Sequence, residues 1–311
     1  MKRDKIKHIY GPVPSRRLGF SLGLDLVPYK VCSFDCVYCQ LGKTTMHTIK
    51  RKAYIDYKEI IKELKDVLKQ GKKIDYITIS GSGEPTLNTE IGRLIREIKK
   101  ITSIPVAVLT NSSLFSDPVL RKQLLPSDLV IPSLDAASPD IFRKIDRPHP
   151  SIKIDEIIDG LIKFRKMYKG KIWLEVMLVK GINDDLQEIE KIKEAALRIK
   201  PDRIQLNLPV RPPQGKNIFP PSEKKLAQIK KIFGKKAEII CPKKTGKKQK
   251  HITVTGKEIY ELIKRRPVTL SDICGSLGLN ENEAIKYTQF LIDNKSVKLK
   301  YRQGKRYFIP K

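Results

Sequence analysis

CSFDCVYCQ, residues 32–40, places three of the chain's five cysteines within eight positions. Three residues separate Cys32 from Cys36, and two separate Cys36 from Cys39. Two cysteines at such spacing would indicate a redox pair, and four would indicate a closed zinc or iron–sulfur site. Three cysteines therefore predict a metal centre whose protein ligands are incomplete.

Two kinds of metal centre are compatible with three clustered cysteines. A zinc site requires a fourth ligand, and His47 is the nearby candidate. A [4Fe-4S] cluster held by three cysteines leaves one iron without a protein ligand, and that iron can bind a chelating molecule. The pattern favours the cluster. Cys241 and Cys274 are distant in sequence, and we expect them to be buried apolar side chains.

The sequence around this stretch alternates short apolar runs with amphipathic helical segments as far as residue 240. The predicted strands cover residues 21–27, 75–81, 105–111, 128–134, 171–179 and 202–208. The predicted helices between them cover residues 57–71, 89–101, 154–170 and 185–200. Six such units predict an α/β fold, a partial (β/α)6 TIM-like barrel with its chemistry at the carboxyl ends of the strands.

The sequence changes character after the predicted barrel. Residues 242–250 hold five lysines and no large apolar side chain, which is typical of a solvated linker. Three helical patterns and a β-hairpin follow, and we expect Ser271 and Asn280 to cap the second and third helices and Gln303 and Gly304 to form the hairpin turn. The predicted domains are a partial barrel (1–241), a basic linker (242–253) and a small winged helix-turn-helix domain (254–311).

A formal net charge of +29 indicates a polyanionic partner, most economically nucleic acid. Heat-adapted proteins also carry many charges, but they balance them, whereas here 63 Lys and Arg stand against 34 Asp and Glu. No apolar run is long enough to span a membrane, and the amino-terminal residues do not resemble a signal peptide. We therefore expect no membrane association. The cysteines do not form a disulfide framework, so we expect a cytoplasmic protein.

The CxxxCxxC motif, with the aromatic Tyr38 before its third cysteine, resembles the signature of the radical S-adenosylmethionine (radical SAM) superfamily. The resemblance implies one [4Fe-4S] cluster on Cys32, Cys36 and Cys39, with SAM on the open iron and Tyr38 beside the cofactor. In that superfamily an external donor such as ferredoxin or flavodoxin supplies an electron, and SAM yields a 5′-deoxyadenosyl radical that abstracts hydrogen from the substrate. The resemblance implies an oxidoreductase or transferase and leaves its catalytic residues open.

The second predicted strand ends in SGSGEPTL, residues 80–87, which is similar to the GGEP-type motif of the superfamily. Gly81, Ser82 and Gly83 let the backbone approach a ligand, and Glu84 offers a carboxylate. The resemblance implies that this stretch meets the SAM ammonium. An ordinary glycine-rich turn before a helix is the alternative interpretation.

The resemblance extends to the ends of later strands, where the superfamily commonly places polar side chains against the SAM ribose or carboxylate. Asn111 ends the third predicted strand, and Ser133 and Asp135 follow the fourth. Helix capping is the alternative role, above all for Asp135. Glu175 interrupts an apolar strand, where a charge is costly unless it is paired or faces a cavity, and we expect it to face the cofactor.

Residues 11–42, 175–184 and 205–213 resemble a group of prokaryotic iron–sulfur oxidoreductases classed with the wyosine-type tRNA synthases. Those synthases carry further cysteines ahead of the SAM cluster, whereas this chain has no cysteine before Cys32. The difference argues against the ring-building reaction of the synthases, but it is compatible with an RNA substrate.

Three functions are compatible with the sequence. The first is a radical SAM enzyme that modifies RNA, tRNA above all, with the winged helix and the basic linker delivering the substrate. The second is a radical SAM enzyme that modifies or activates a protein or peptide, with the winged helix as a docking domain. The third is a DNA-binding regulator that senses redox state or SAM through its cluster. The net charge favours the first.

Overall fold

The computed structural model describes residues 8–213, 215, 217–240, 256–279 and 281–311. The predicted linker at 242–253, Cys241 and Asn280 lie outside the described residues. The strands are β1 (Ile9–Ser15), β2 (Gly19–Leu24), β3 (Val31–Cys32), β4 (Met46–His47), β5 (Tyr76–Ile79), β6 (Val106–Thr110), β7 (Leu129–Pro132), β8 (Lys171–Met177), β9 (Arg203–Asn207), β10 (Ala237–Ile239), β11 (Val297–Arg302) and β12 (Lys305–Pro310). The helices are α1 (Tyr57–Leu68), α2 (Ile91–Ile101), α3 (Pro118–Leu124), α4 (Pro139–Ile145), α5 (Ile154–Met167), α6 (Leu186–Ile199), α7 (Glu223–Phe233), α8 (Gly256–Arg265), α9 (Leu270–Leu277) and α10 (Glu281–Asp293).

Eight strands form one sheet in the order β1-β2-β5-β6-β7-β8-β9-β10. β1 is antiparallel to β2, and every other neighbouring pair is parallel. In the described part of the chain β1 and β10 form the two edges, so the sheet is a partial barrel that is open between them. The predicted α/β partial barrel is confirmed, and the six predicted strands correspond to β2 and β5 to β9.

The parallel strands are buried, which explains their continuous apolar runs. Ile77, Ile79, Val106 and Val108, for example, have no exposed surface. The sequence did not predict the edge strands. β1 contains two prolines and a register irregularity, and β10 has three residues, so neither shows such a run.

The four predicted amphipathic segments correspond to α1, α2, α5 and α6, which cover the sheet with their apolar faces, whereas α7 was not predicted. Asp56 caps α1 through Lys58 N at 2.8 Å, and Asp185 caps α6 through Gln187 N at 2.9 Å. The sequence missed α3 and α4, because seven residues are too few to show a helical period. Among the helices described here, none has both the length and the apolar character needed to cross a bilayer.

The C-terminal module, residues 256–311, contains three helices and a hairpin in the predicted order. The predicted two-residue turn of the hairpin is confirmed, with both residues at positive φ. The cap of α9 differs from the prediction, because Thr269 and not Ser271 is the N-cap. The Thr269 hydroxyl accepts from Asp272 N at 3.1 Å, and the Asp272 carboxylate accepts from Thr269 N at 3.0 Å, so the two residues cap each other.

The C-terminal module packs onto the open side of the barrel. Val13 and Tyr10 of β1 lie in one apolar cluster with Phe308 of the module. The Tyr307 hydroxyl donates to Val210 O at 3.0 Å, in the loop after β9. The module therefore contacts β1 at one edge of the sheet and the loop that lies near the other edge.

Candidate metal centre and active site

The three clustered cysteines lie in residues 30–40, here called the cysteine loop, which follows β2 at the carboxyl ends of the parallel strands. Cys39 N donates to Cys36 O at 3.0 Å, and Thr48 N donates to Cys32 O at 3.0 Å. All three thiols are free, partly buried and within electrostatic range of one another. The loop therefore gathers the three predicted ligands at the edge where such barrels carry their chemistry.

Two of the thiols have charged neighbours. Lys30 Nζ donates to Cys39 Sγ at 3.2 Å, and Cys36 Sγ donates to Asp146 Oδ1 at 3.3 Å. Lys30 is almost fully buried, so its ammonium is held against the sulfur and not left in solvent. A fixed cation of this kind stabilises negative charge on the sulfur.

Cys32 and Cys36 are thiols that burial holds in the protonated form. Burial and, to a lesser extent, the nearby Glu84 carboxylate raise the pKa of Cys32 to about 12. Burial also raises the pKa of Cys36 well above its ordinary value. Asn111 Nδ2 donates to Cys32 Sγ at 3.6 Å, a contact too weak to offset the loss of solvent. These thiols become metal ligands only if a strong positive charge lies against them, and iron supplies such a charge.

A zinc site on the three cysteines would need His47 as its fourth ligand. Across the described residues, no three His, Cys, Asp or Glu side chains converge on a point that would hold one metal ion. His47 Nε2 lies 2.9 Å from Ser33 O, and its ring packs edge-on against His149. His47 is therefore engaged with the protein backbone through one ring nitrogen, which makes it a weaker candidate for a fourth zinc ligand.

The motif loop, residues 80–84, packs directly against the cysteine loop. Gly81 has φ of +129°, and a Cβ there would overlap the Asp25 carboxylate. A Cβ at Gly83 would overlap Val31 O. Only glycine therefore allows the motif loop to lie this close to the cysteine loop.

Two hydrogen bonds join the motif loop to its surroundings at Ser82. Ser82 N donates to Asp25 Oδ1 at 2.9 Å, and Lys30 N donates to Ser82 O at 2.6 Å. The backbone of the motif loop is thus fixed by the end of β2 and by the start of the cysteine loop.

Glu84 is buried and its carboxylate is occupied within the protein. It accepts from Thr86 N at 3.1 Å, Thr86 Oγ1 at 2.5 Å, Thr110 Oγ1 at 2.6 Å and Asn111 N at 2.8 Å. Burial raises the pKa of Glu84, while these hydrogen bonds oppose the shift. Glu84 therefore ties the motif loop to the end of β6.

Four of the predicted cofactor residues line one small cavity beside the cysteine loop: Tyr38, Asn111, Ser133 and Asp135. The Tyr38 hydroxyl donates to the Asp135 carboxylate, and Met177 N donates to Asp135 Oδ1 at 2.8 Å. Burial and the nearby Asp146 raise the pKa of Asp135 well above its ordinary value, and burial raises the pKa of Asp146 to about 7. The cavity wall thus contains acidic side chains that hold protons more tightly than they would in water.

Glu175 lies next to this cavity but is paired. It sits opposite Ser133 on the neighbouring strand, and its carboxylate accepts from the Arg17 guanidinium. Arg17 Nη1 also donates to Gln205 Oε1 at 3.1 Å. Pairing with Arg17, which the sequence did not predict, allows the Glu175 charge to lie inside the barrel.

Sequence reasoning missed two residues that touch the thiols. Lys30 stands two positions before the first cysteine, and this closeness in sequence could have indicated that its ammonium contacts a thiol. Asp146 follows α4 and contacts a cysteine 110 positions earlier, so no local pattern could have identified it.

Comparisons with known proteins agree with this geometry. The model of the Radical SAM superfamily matches residues 26–196. The protein named GTPase Obg of Brachyspira hyodysenteriae is 40% identical over 94% of this chain, which spans only 44% of that protein. A UPF0026 protein of Methanocaldococcus jannaschii is 39% identical over 72% of this chain and 70% of its own length. The crystal structure of a radical SAM methyltransferase from Sphaerobacter thermophilus shares the fold, with a TM-score of 0.53 and 16% identity over 70% of this chain and 65% of that chain.

Proposed function

The chain belongs to the radical SAM superfamily, and within it we propose an enzyme that modifies RNA, with tRNA as the favoured substrate. The protein is an enzyme whose cofactors are a [4Fe-4S] cluster and SAM. Together these groups supply the reductive cleavage of SAM that yields a hydrogen-abstracting 5′-deoxyadenosyl radical. Enzymes of this superfamily need an external electron donor. The chain itself supplies position, charge and protection from water.

We assign the cluster to Cys32, Cys36 and Cys39. Their thiols share one loop and lie within electrostatic range of one another. Lys30, held against Cys39, places a cation where the bound cluster would carry negative charge. In such a site a thiolate-ligated cluster suits a reducing compartment, which supports a cytoplasmic location.

We assign SAM to the region beside the cysteine loop that surrounds this small cavity. Tyr38, Asn111, Ser133 and Asp135 would meet the polar groups of SAM, and Gly81, Ser82 and Gly83 would present their backbone from the adjoining motif loop. Glu84 acts in this proposal as a positioning residue, because its carboxylate is already occupied by four internal hydrogen bonds. Glu175 holds Arg17 inside the barrel, next to the cavity.

The distribution of positive charge is the observation that carries the RNA substrate. Residues 254–311 hold twelve Lys and Arg against six Asp and Glu, and residues 242–250 add five lysines. A net charge of +18 out of +29 therefore belongs to residues 1–241, so the catalytic barrel itself is basic. A basic barrel attracts a polyanionic substrate to the site of the chemistry. We interpret the C-terminal module as a winged helix that helps to hold that substrate.

The resemblance to prokaryotic iron–sulfur oxidoreductases that are classed with the wyosine-type tRNA synthases supports tRNA over other RNA in this proposal. Because no cysteine precedes Cys32, the reaction we propose differs from the ring-building step of those enzymes.

The affinity of the reconstituted holoenzyme for bulk tRNA, measured against salt concentration, tests the RNA substrate. We expect the affinity to fall by at least about 10³-fold between about 50 and 200 mM salt, as for a protein that makes several phosphate contacts. A DNA duplex of similar length is the control, and tighter binding to DNA would favour the regulator. Absent or salt-insensitive tRNA binding would contradict the RNA substrate.

A further inference from the structure

Three arginines from separate parts of the chain meet where the barrel and the C-terminal module join. Arg16 lies in the turn between β1 and β2, Arg211 in the loop after β9, and Arg266 directly after α8. The hydrogen bond from the Tyr307 hydroxyl to Val210 O, at 3.0 Å, fixes the module beside Arg211. We call Arg16, Arg211 and Arg266 the arginine cluster.

The arginine cluster does not hold the fold together. Within the described ranges it takes part in no hydrogen bond or ion pair, and Nη1 of Arg16 is buried without a hydrogen-bond partner. Neighbouring arginines differ, since Arg17 pairs with Glu175 and Arg265 pairs with Asp25. Arg17 and Arg265 therefore have carboxylate partners, whereas the arginine cluster has none among the residues that the structure describes.

The arginine cluster is a concentration of positive charge in a partly buried place. Burial and the adjacent Arg211 guanidinium lower the pKa of Arg16 to about 10, and they do the same to the pKa of Arg266. Arg16 and Arg266 therefore remain charged at neutral pH. The acids that act on them are already engaged, because Asp272 caps α9 and Glu175 has its own partner.

Guanidinium groups without carboxylate partners repel one another when water is scarce, and a tetrahedral oxyanion with several acceptors relieves that repulsion. We propose that the arginine cluster binds a phosphate group of the substrate. This site rests on the proposed function in one respect, because an RNA phosphodiester is the expected source of the phosphate. A free nucleotide or inorganic phosphate would present the same chemistry.

The arginine cluster adjoins the proposed active site. Arg16 precedes Arg17, whose partner Glu175 lies opposite Ser133 on the cavity wall. A phosphate held by the arginine cluster would therefore fix a substrate between the C-terminal module and the cofactor cavity.

Arg211→Gln and Arg266→Gln test the site, with Arg96→Gln as a matched control. Arg96 is exposed on α2 and has no ion pair among the described side chains, so its replacement removes the same charge from a distant face. We expect Arg211→Gln and Arg266→Gln each to weaken the binding of bulk tRNA to the holoenzyme roughly tenfold. Each should also lower by about 1 the slope of log affinity against log salt concentration. The Arg96 variant should change the affinity by less than about twofold. Inorganic phosphate and GTP are the small-molecule probes.

Each result decides one part of the proposal. If the wild type binds tRNA and both arginine variants bind it as tightly as the wild type does, the phosphate site is refuted and the RNA function stands. If the wild type does not bind tRNA, yet binds GTP or phosphate in a way that both variants lose, the site is supported and the RNA function fails. Arg211→Lys is a second variant for the case in which Gln disturbs folding. It should keep the salt slope and lose part of the affinity, whereas unchanged affinity and slope would count against the site.

Discussion

At the scale of single residues, the chemistry depends on thiols that the fold keeps away from water. Desolvation alone would keep Cys32 protonated, since its pKa is raised to about 12. The Lys30 charge opposes part of that shift at Cys32, and bound iron would oppose the rest. The protein therefore presents thiols that become ligands when the metal arrives.

Replacing any one of Cys32, Cys36 or Cys39 with Ala should abolish the brown chromophore after anaerobic reconstitution. A three-cysteine site has no spare ligand, so iron and sulfide content should also fall to background. Visible absorbance and iron analysis measure the effect. Cys274→Ala is the control, because that residue lies in the C-terminal module, and its variant should retain a full cluster. A full cluster in a Cys36→Ala variant would refute the ligand assignment.

Glu84→Gln should destabilise the protein by about 1–3 kcal/mol, because the amide replaces one acceptor oxygen with a donor that faces other donors. The motif loop should loosen and SAM affinity should fall with it. Thermal unfolding and equilibrium SAM binding check both effects. Glu194→Gln, at an exposed position of α6, should leave stability and binding unchanged. Equal behaviour of the two variants would mean that Glu84 does not position the loop.

At the scale of elements, the close approach of the motif loop to the cysteine loop depends on glycine. Gly83→Ala would force a Cβ into Val31 O, so we expect a loss of about 1–3 kcal/mol of stability and weaker SAM binding. Gly256→Ala is the matched control, since its Cβ would make ordinary contact with Tyr287 at 3.5 Å. That variant should be neutral or slightly more stable in thermal unfolding. A neutral Gly83→Ala variant would contradict the packing of the two loops.

The C-terminal module is linked to the motif loop through one carboxylate. Arg265 of α8 pairs with Asp25, whose other oxygen accepts from Ser82 N. Arg265→Gln leaves a buried carboxylate without its cation, so we expect a loss of up to about 3–5 kcal/mol and reduced SAM affinity. Calorimetry and SAM titration measure these effects.

Arg198→Gln provides the comparison for this variant. Arg198 and Asp159 form a surface pair whose side chains are 61% and 57% exposed, so its loss should cost at most about 1 kcal/mol. If Arg265→Gln behaves no differently, the module is not coupled to the motif loop.

The sequence predicted elements better than it predicted contacts. Buried parallel strands appear as apolar runs, so six strands could be located, and three cysteines in one loop could be read directly. The pairing of Glu175 with Arg17 and the contact of Asp146 with Cys36 join residues more than a hundred positions apart. Such contacts depend on how the sheet closes, and no local pattern contains that information.

At the scale of the whole molecule, the distribution of positive charge and the packing of the C-terminal module both support RNA binding at the junction of barrel and module. The barrel carries most of the positive charge, and the C-terminal module contacts both sides of its open edge. The arginine cluster lies at that junction, and its Arg16 is within electrostatic range of Glu175. In the function we propose, RNA would bind along the junction and present one nucleotide to the cavity.

The most direct measurement compares the modified nucleosides of bulk tRNA and rRNA, by mass spectrometry, between a deletion strain and its parent. We predict that at least one modified nucleoside is missing or altered in the deletion strain. The wild-type chain should restore it, and a Cys36→Ala variant expressed at the same level should not. Identical nucleoside profiles in the two strains would contradict the proposal that this enzyme modifies tRNA or rRNA.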